Sequence, residues 1–328
     1  MAPARLSVPE LLLWAAGAIG IALLPPILST FQVVQITIFL IFCLLAVSLD
    51  LVSLDLSWGL AGLLSFGQAA FFGIGGYAYA ILGINNVTTS ASVVAAAAAG
   101  GTAAAMVGYI AFYGRLSAMF LAVMTLTITL ILLQVMGSTA DPSYRIGSAV
   151  IGGYNGMTNI PSLVLDPRGF FWTVGGLLVG IVAMGRLIMI TSFGRVLAAI
   201  RENEQRVELL GYDARWRKLV IFSLSGAIAG LAGALFASWG NFINPEVFSL
   251  AQSAQVVIWV LVGGRGSLYG AVIGALLVQA MTQYLGSIGT AYTSLALGGL
   301  LVMFVLLLRN GLLPAISRGI LAIGMRKA

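Results

Sequence analysis

The chain predicts an all-α polytopic membrane protein of about ten transmembrane segments, Gly-rich, with broken or re-entrant helices and both termini cytoplasmic. Three observations carry this. Hydrophobic residues make up 60% of the 328 positions and charged residues only 8%, against about 25% charged in an ordinary soluble domain. The apolar runs have the length an α-helix needs to cross a hydrocarbon layer of about 30 Å, rather than the roughly ten-residue alternation of a membrane barrel. Lys and Arg are also distributed very unevenly between alternate loops.

The apolar segments fall at about 10–29, 33–54, 57–83, 91–112, 117–136, 170–191, 217–239, 252–264, 267–286 and 292–308. The first follows one Arg and reads LLLWAAGAIGIALL, a pattern shared with signal peptides. Glu10 at its start, and Pro25–Pro26 followed directly by another span, fit an uncleaved first helix better. Segment 57–83 is long and carries seven Gly, which predicts a break within it, and 252–264 is short enough to be re-entrant. Residues 1–328 read as a single transmembrane domain, with a polar loop at 194–218 and a tail at 309–328.

Orientation follows from the excess of Arg and Lys on the cytoplasmic side of membrane proteins. With 194–218 inside, Arg5, Arg115, Arg195, Arg201, Arg206, Arg215, Arg217, Lys218, Arg265, Arg309, Arg318, Arg326 and Lys327 are inside too, and Arg186 can snorkel to that face. Only Arg145 and Arg168 fall outside. The net charge of +6 therefore belongs to loops facing anionic headgroups; there is no folded basic domain to bind nucleic acid.

Absences exclude much chemistry. The chain has no His, so no His-based catalytic dyad or metal ligand. Its single Cys43, in an apolar run, excludes an intrachain disulfide and any CxxC motif and reads as a small buried hydrophobe. Neither Lys follows a Gly, so there is no GxxxxGK[ST] phosphate loop, and any ATP must be bound by another subunit. Asp50 and Asp55 lie near the cytoplasmic end of the second segment, where a structural or interfacial role outweighs an ion relay.

Glycine is abundant, with 41 residues. Small residues three or four apart in GAIAGLAG (226–233) predict close helix packing. In GLAGLLSFGQAAFFGIGGYAYAIL (59–82) packing and helix breaking for substrate contact both remain open. Uncharged polar groups are the candidate pathway residues: Ser65 and Gln68 in the broken segment, and Thr125, Thr129 and Gln134 in one span. Thr125 and Thr129 share a helix face, although a Thr in a membrane helix ordinarily bonds its own backbone.

Residues 194–218, GRVLAAIRENEQRVELLGYDARWRK, hold ten of the chain's 26 charged residues. Val196, Ile200, Val207 and Leu210 recur near helical spacing, with Arg201, Glu202, Glu204 and Glu208 around them. Gly211 falls at a position after the last turn where positive φ is common. An amphipathic cytoplasmic helix results, lying either in the headgroup layer or in a protein groove.

Five ordered blocks carry a family resemblance. AIRENEQRVELLGYD (199–213) followed by KLVIFSLSGAIAGLAGALFA (218–237) resembles the coupling loop and next helix of ABC importer permeases of the branched-chain amino acid and urea/amide uptake family. WGLAGLLSFGQAAFFGIGGY (58–77) resembles the family's first Gly-rich block, and FLAVMTLTI (120–128) its "FAMATLAF" helix. GGYNGMTNIP (152–161) resembles its "GGSNGLTGIP", with Met157 and Asn159 as departures. INPEVFSLAQSAQVVIWVLVGGRGSLYGAVIGA (243–275) resembles its C-terminal block, and the likeness spans roughly 35–308.

The resemblance implies an M-type permease subunit of the bacterial inner membrane that is not itself an enzyme. Its partners would be a paralogous permease, two cytoplasmic ATPases and a periplasmic substrate-binding protein, with alternating access as the mechanism. It implies no cofactor on this chain, ATP and Mg being used by the ATPases, and it assigns coupling to Arg201, Glu202, Glu204, Glu208 and Gly211. Hydrophobic amino acids rank ahead of urea or short amides as substrate, and an ion-coupled secondary transporter is the alternative of another class. The orientation has a direct check. Single Cys residues at Thr89 and Glu204, in a Cys43→Ala background, should label from opposite sides of the membrane with an impermeant thiol reagent. Labelling from one side would overturn the topology.

Overall fold

The computed structural model describes residues 8–52, 65–163, 166–264, 267–287 and 298–299. Arg5, Asp55, Gly59, Gly62, Arg265, most of segment 292–308 and the tail 309–328 lie outside the described residues. The helices are α1 (Val8–Ile27), α2 (Thr30–Val52), α3 (Gln68–Ile84), α4 (Thr89–Tyr113), α5 (Ala118–Gly137), α6 (Pro167–Ile190), α7 (Ser192–Glu202), α8 (Glu204–Leu209), α9 (Ala214–Gly240), α10 (Leu250–Gly263) and α11 (Leu268–Ser287). Among the described residues α2, α4, α5, α6, α9 and α11 are long and apolar enough to cross a membrane, and α3 and α10 are shorter apolar helices.

Two expectations change form. The segment read as 57–83 is helical only from Gln68; residues 65–67 precede the helix as irregular backbone and 53–64 are outside the described residues. The amphipathic helix expected over 196–211 is two helices. Asn203 between them is extended (φ −161°, ψ 100°), and its side chain accepts the Arg206 N–H at 3.0 Å as the cap of α8. A short polar side chain that caps a helix competes with the helical backbone at its own position.

Burial orders the bundle. In α2 and α9, 61% of the apolar span is buried within the chain, against 22% in α4 and 17% in α5. The first pair therefore forms the inner layer, and α4 and α5 turn wide apolar faces outward. On α4 the buried residues Ser92, Ala96, Gly100, Ala104 and Gly108 repeat every fourth position, a stripe of small side chains facing α9.

Contact across that stripe is backbone to backbone. A Cβ built on Gly100 would stand 2.5 Å from the Gly226 carbonyl oxygen, and one on Gly230 would stand 2.6 Å from the Ala96 carbonyl oxygen. On the other side of α9, Gly75 and Gly76 of α3 meet Gly230 and Gly233, and a Cβ on Gly233 would overlap the Phe72 carbonyl. The Gly residues of 73–76 and of 226–233 are thus packing residues. A second pair, α10 and α11, closes the same way, with a Cβ on Gly274 2.5 Å from the Gly263 nitrogen. Cys43 is buried, its sulfur 3.6 Å from the Val272 carbonyl oxygen of α11.

On the face opposite α7 and α8, the loop after α5 is stitched down over the ends of α3 and α9. Strands β1 (Arg145–Ile146) and β2 (Ala149–Val150) form a hairpin, and Asn85 accepts from Ser148 N and donates to the Ile146 carbonyl, both at 2.8 Å. Strand β3 (Met157–Thr158) pairs with β4 (Phe242–Ile243), Tyr79 Oη donates to the Pro161 carbonyl at 2.7 Å, and Asn241 Nδ2 donates to the Ile160 carbonyl at 2.7 Å. Within GGYNGMTNIP, Gly152, Gly153, Gly156 and Asn159 all have positive φ. Asn159 replaces the glycine of the family pattern at φ 58°, a conformation that Asn accepts more readily than other side chains. In the same loop the Ser143 N–H bonds Asp141 at 2.8 Å and holds its exposed carboxyl below the usual range.

The glycine contacts give a direct expectation. Gly230→Ala should lower the melting temperature of the detergent-purified protein, overpacking of this kind costing about 1–3 kcal/mol. Gly176→Ala, where an added Cβ meets nothing within 4 Å, should leave it unchanged.

Candidate functional site

Two polar sites stand out in this apolar bundle. The first is buried where the chain breaks ahead of α3. The Phe66 N–H, with no helical partner, donates to Thr125 Oγ1 of α5 at 3.2 Å, and the Gly67 N–H donates to Ser65 Oγ at 3.2 Å. In lipid each such backbone group must be satisfied within the protein. The two elements approach closely here, and a Cβ on Gly67 would sit 3.1 Å from Thr125 Cβ.

Gln68, 1% exposed, extends the network across three helices. Its Nε2 donates to Ser225 Oγ of α9 at 2.8 Å, Ser225 Oγ donates to the Ser48 carbonyl of α2 at 2.7 Å, and Ser48 Oγ lies 3.2 Å from Gln68 Oε1. Asp50, fully buried, lies half a turn further along α2.

Of the candidate pathway residues, the structure brings Ser65, Gln68 and Thr125 together. Thr129 follows one turn on, buried and donating to the Thr125 carbonyl at 2.8 Å. Gln134 is apart, exposed near the far end of α5 and accepting from Tyr154 Oη at 2.9 Å. The Gln68 amide is engaged on both sides, so its role here is to tie α2 and α9 to the start of α3. Ser48 and Ser225 were missed in the sequence because isolated serines in apolar runs carry no pattern.

The second site is the α7–α8 element. Thr191 caps α7 with its side chain, and Asp213 caps α9 by accepting the Trp216 N–H at 3.1 Å. Leu197, Ile200 and Val207 are buried beneath the element. Leu210, expected on that buried face, is instead 75% exposed, and Leu209 is 87% exposed. The reason is geometric: the break at Asn203 gives α8 its own axis, so the 196–200 stripe does not continue to 210. Gly211 follows with φ 86°, the left-handed turn expected of it.

Charge around α8 is arranged in two ways. Arg201, Glu202 and Glu208 are exposed. Glu204 points back to the bundle, its Oε2 2.5 Å from Nζ of Lys218 on α9. Arg217 lies over the rings of Phe193 and Tyr212, at 5.6 and 5.2 Å from their centroids, and so joins α7, the turn after α8 and α9. Between α8 and the turn joining α4 to α5 is a cavity of about 360 Å³, lined by Phe112, Arg115, Ser117, Glu204, Glu208 and Lys218 among others. Among the described residues no group of three His, Cys, Asp or Glu side chains could hold a metal ion.

An apolar helical bundle with glycine-packed helices, uncharged polar groups around the start of α3 and a projecting polar element on one face suits a membrane transport permease. The sequence comparisons agree. The chain belongs to the family of branched-chain amino acid transport system permease components, whose profile matches residues 32–307, and it is a permease subunit of an ABC importer. It is 30% identical over 302 residues to the high-affinity branched-chain amino acid transport system permease protein LivM of Escherichia coli, an alignment covering 85% of this chain and 69% of that protein. A probable branched-chain amino acid transport permease protein LivM of Methanocaldococcus jannaschii is 26% identical, covering 68% of this chain and 74% of its own length. The ribose import permease protein RbsC of Bacillus subtilis is 30% identical over a shorter stretch, 43% of this chain and 47% of its own length. No solved structure matches the chain.

The helix break generates a testable expectation. Thr125→Val keeps the side-chain shape but leaves the Phe66 N–H without its acceptor, a loss of about 1–3 kcal/mol. The purified variant should melt at a lower temperature and Thr125→Ser should not; equal melting of all three would remove Thr125 from this role.

Proposed function

We propose that the chain is one of two paralogous permease subunits of an importer for branched-chain and other hydrophobic amino acids. The observation that carries the coupling part of this reading is the tip of α8. Leu209 and Leu210 project almost fully from the polar face of the bundle, with Arg201, Glu202 and Glu208 beside them and Gly211 turning the chain back. Adjacent exposed leucines ringed by charges suit a protein groove better than a headgroup layer, where Glu202 and Glu208 would meet anionic lipid.

In this reading α7–α8, within the loop 194–218, docks on cytoplasmic ATPase subunits. These use ATP and Mg; this chain binds no cofactor. A periplasmic binding protein delivers substrate to the loop that follows α5. The single domain of 1–328 has ten segments with both termini, and the tail 309–328, on the cytoplasmic side of the inner membrane. At 14 residues and a rise of about 1.5 Å each, α10 is about 21 Å long and enters the membrane without crossing it fully. The choice of amino acid rests on relatives that match over more than two thirds of their length and carry branched-chain amino acid transport in their names. Transport is by alternating access: ATP-driven closure of the ATPases displaces α8, the spans follow, and substrate crosses chemically unchanged.

Reconstitution tests the class. Leucine uptake by the assembled complex in proteoliposomes should require ATP on the α7–α8 side and survive collapse of the proton gradient. Uptake by this chain alone, driven by a pH or sodium gradient, would make it a secondary transporter.

A further inference from the structure

Lys218 stands in the second turn of α9 with only 11% of its side chain exposed, unusual for a lysine. A buried ammonium is tolerated only when paired. Its partner comes from another element: Glu204 opens α8, and the two charged groups are 2.5 Å apart. Phe112, in the last turn of α4, lies beneath the same ammonium at 6.0 Å from its ring centroid.

The connections on either side of α8 leave the helical conformation. Asn203 before it is extended, and Gly211 after it has φ 86° with nothing within 4 Å of where a Cβ would stand. Val207 is the only residue of α8 that is buried. Apart from Val207 and the stacking of Arg217 on Tyr212 after the turn, the ion pair is what sets the direction of α8 relative to α9, and it alone is a polar bond between the two helices' side chains among the described residues. Beyond Lys218, in contrast, α9 cannot slide on its neighbours without collision. Gly226 and Gly230 touch the α4 backbone, and Gly230 and Gly233 touch that of α3.

We propose that the Glu204–Lys218 ion pair is the link through which a displacement of α8 reaches α9, and with it α3 and α4 as one body. Lys218 and Glu204 are then positioning residues for transport, and Glu204 acts within the chain rather than as a contact to an ATPase. The proposal rests on the importer reading, in which α8 is the docking element. It predicts a separation of two properties that a docking role would keep together. With Lys218 replaced, Glu204 still has Arg115 and Arg215 around the same cavity. The exposed tip of α8 is untouched, so ATPase association should persist while its motion is no longer passed on.

The test uses the complete complex in proteoliposomes, with leucine uptake, ATP hydrolysis and ATPase co-purification measured on the same preparations. Lys218→Met should keep ATPase association and hydrolysis but import roughly tenfold less leucine per ATP, the usual scale of coupling between two sites. Lys218→Arg should stay near the original ratio. Glu204→Gln, which leaves the Lys218 charge unpaired where Lys218→Met removes it, should reproduce the Met effect in the protein that reaches the membrane, and the exchange Glu204→Lys with Lys218→Glu should recover part of it. An unchanged import-to-ATP ratio in Lys218→Met or Glu204→Gln would overturn the link. So would loss of ATPase association in either, which would return Glu204 to the docking surface. The unmodified complex, run alongside, tests the importer reading separately, since absence of ATP-dependent uptake there would defeat that reading and not the ion pair.

Discussion

Backbone contact through glycine between α9 and its neighbours α3 and α4 is the constraint on which the rest of the molecule depends. Helices in lipid gain little from hydrophobic burial against one another, because the surrounding hydrocarbon is equally apolar. What holds them is dispersion across surfaces that approach closely, and closeness is set by the smallest side chains. Gly100, Gly226, Gly230 and Gly233 allow carbonyl and Cα atoms of different helices to touch. Once α9 is fixed in this way, α2 packs on it and α6 packs on α2, and α4 and α5 keep broad apolar faces turned outward.

The polar features are consequences of that packing. Beginning α3 at Gln68 leaves backbone donors inside an apolar layer, and the bundle answers with Thr125 and Ser65. Gln68 then finds Ser225 because α9 is held against α3, and Ser225 reaches the Ser48 carbonyl because α2 lies on the other side. Two turns nearer the start of α9 the same logic acts on Lys218, whose burial beside Phe112 leaves it dependent on a carboxylate from α8. The bundle is therefore closest packed where glycines meet, and its helical course is interrupted at Asn203 and Gly211.

What the sequence determined by itself was everything governed by solvent and by local conformation. Composition, span length and the placement of Arg and Lys reflect the transfer of each residue between water and hydrocarbon, which needs no knowledge of neighbours. The positive φ of Gly211, the packing role of 226–233 and the departure of 57–83 from a single helix follow from the conformational range and size of glycine. Asn159 was visible only as a departure from a pattern until its φ of 58° explained it. The tertiary structure alone decided the partners. Gln68 and Ser225 are 157 positions apart, and Ser225 and Ser48 are 177 apart. The inward turn of Glu204 and the exposure of Leu210 depended on a break at Asn203 that an amphipathic pattern running through it concealed. A side chain's solvent preference is its own property, but its partner is chosen by whichever helix the packing brings alongside, and no spacing along one segment encodes that choice.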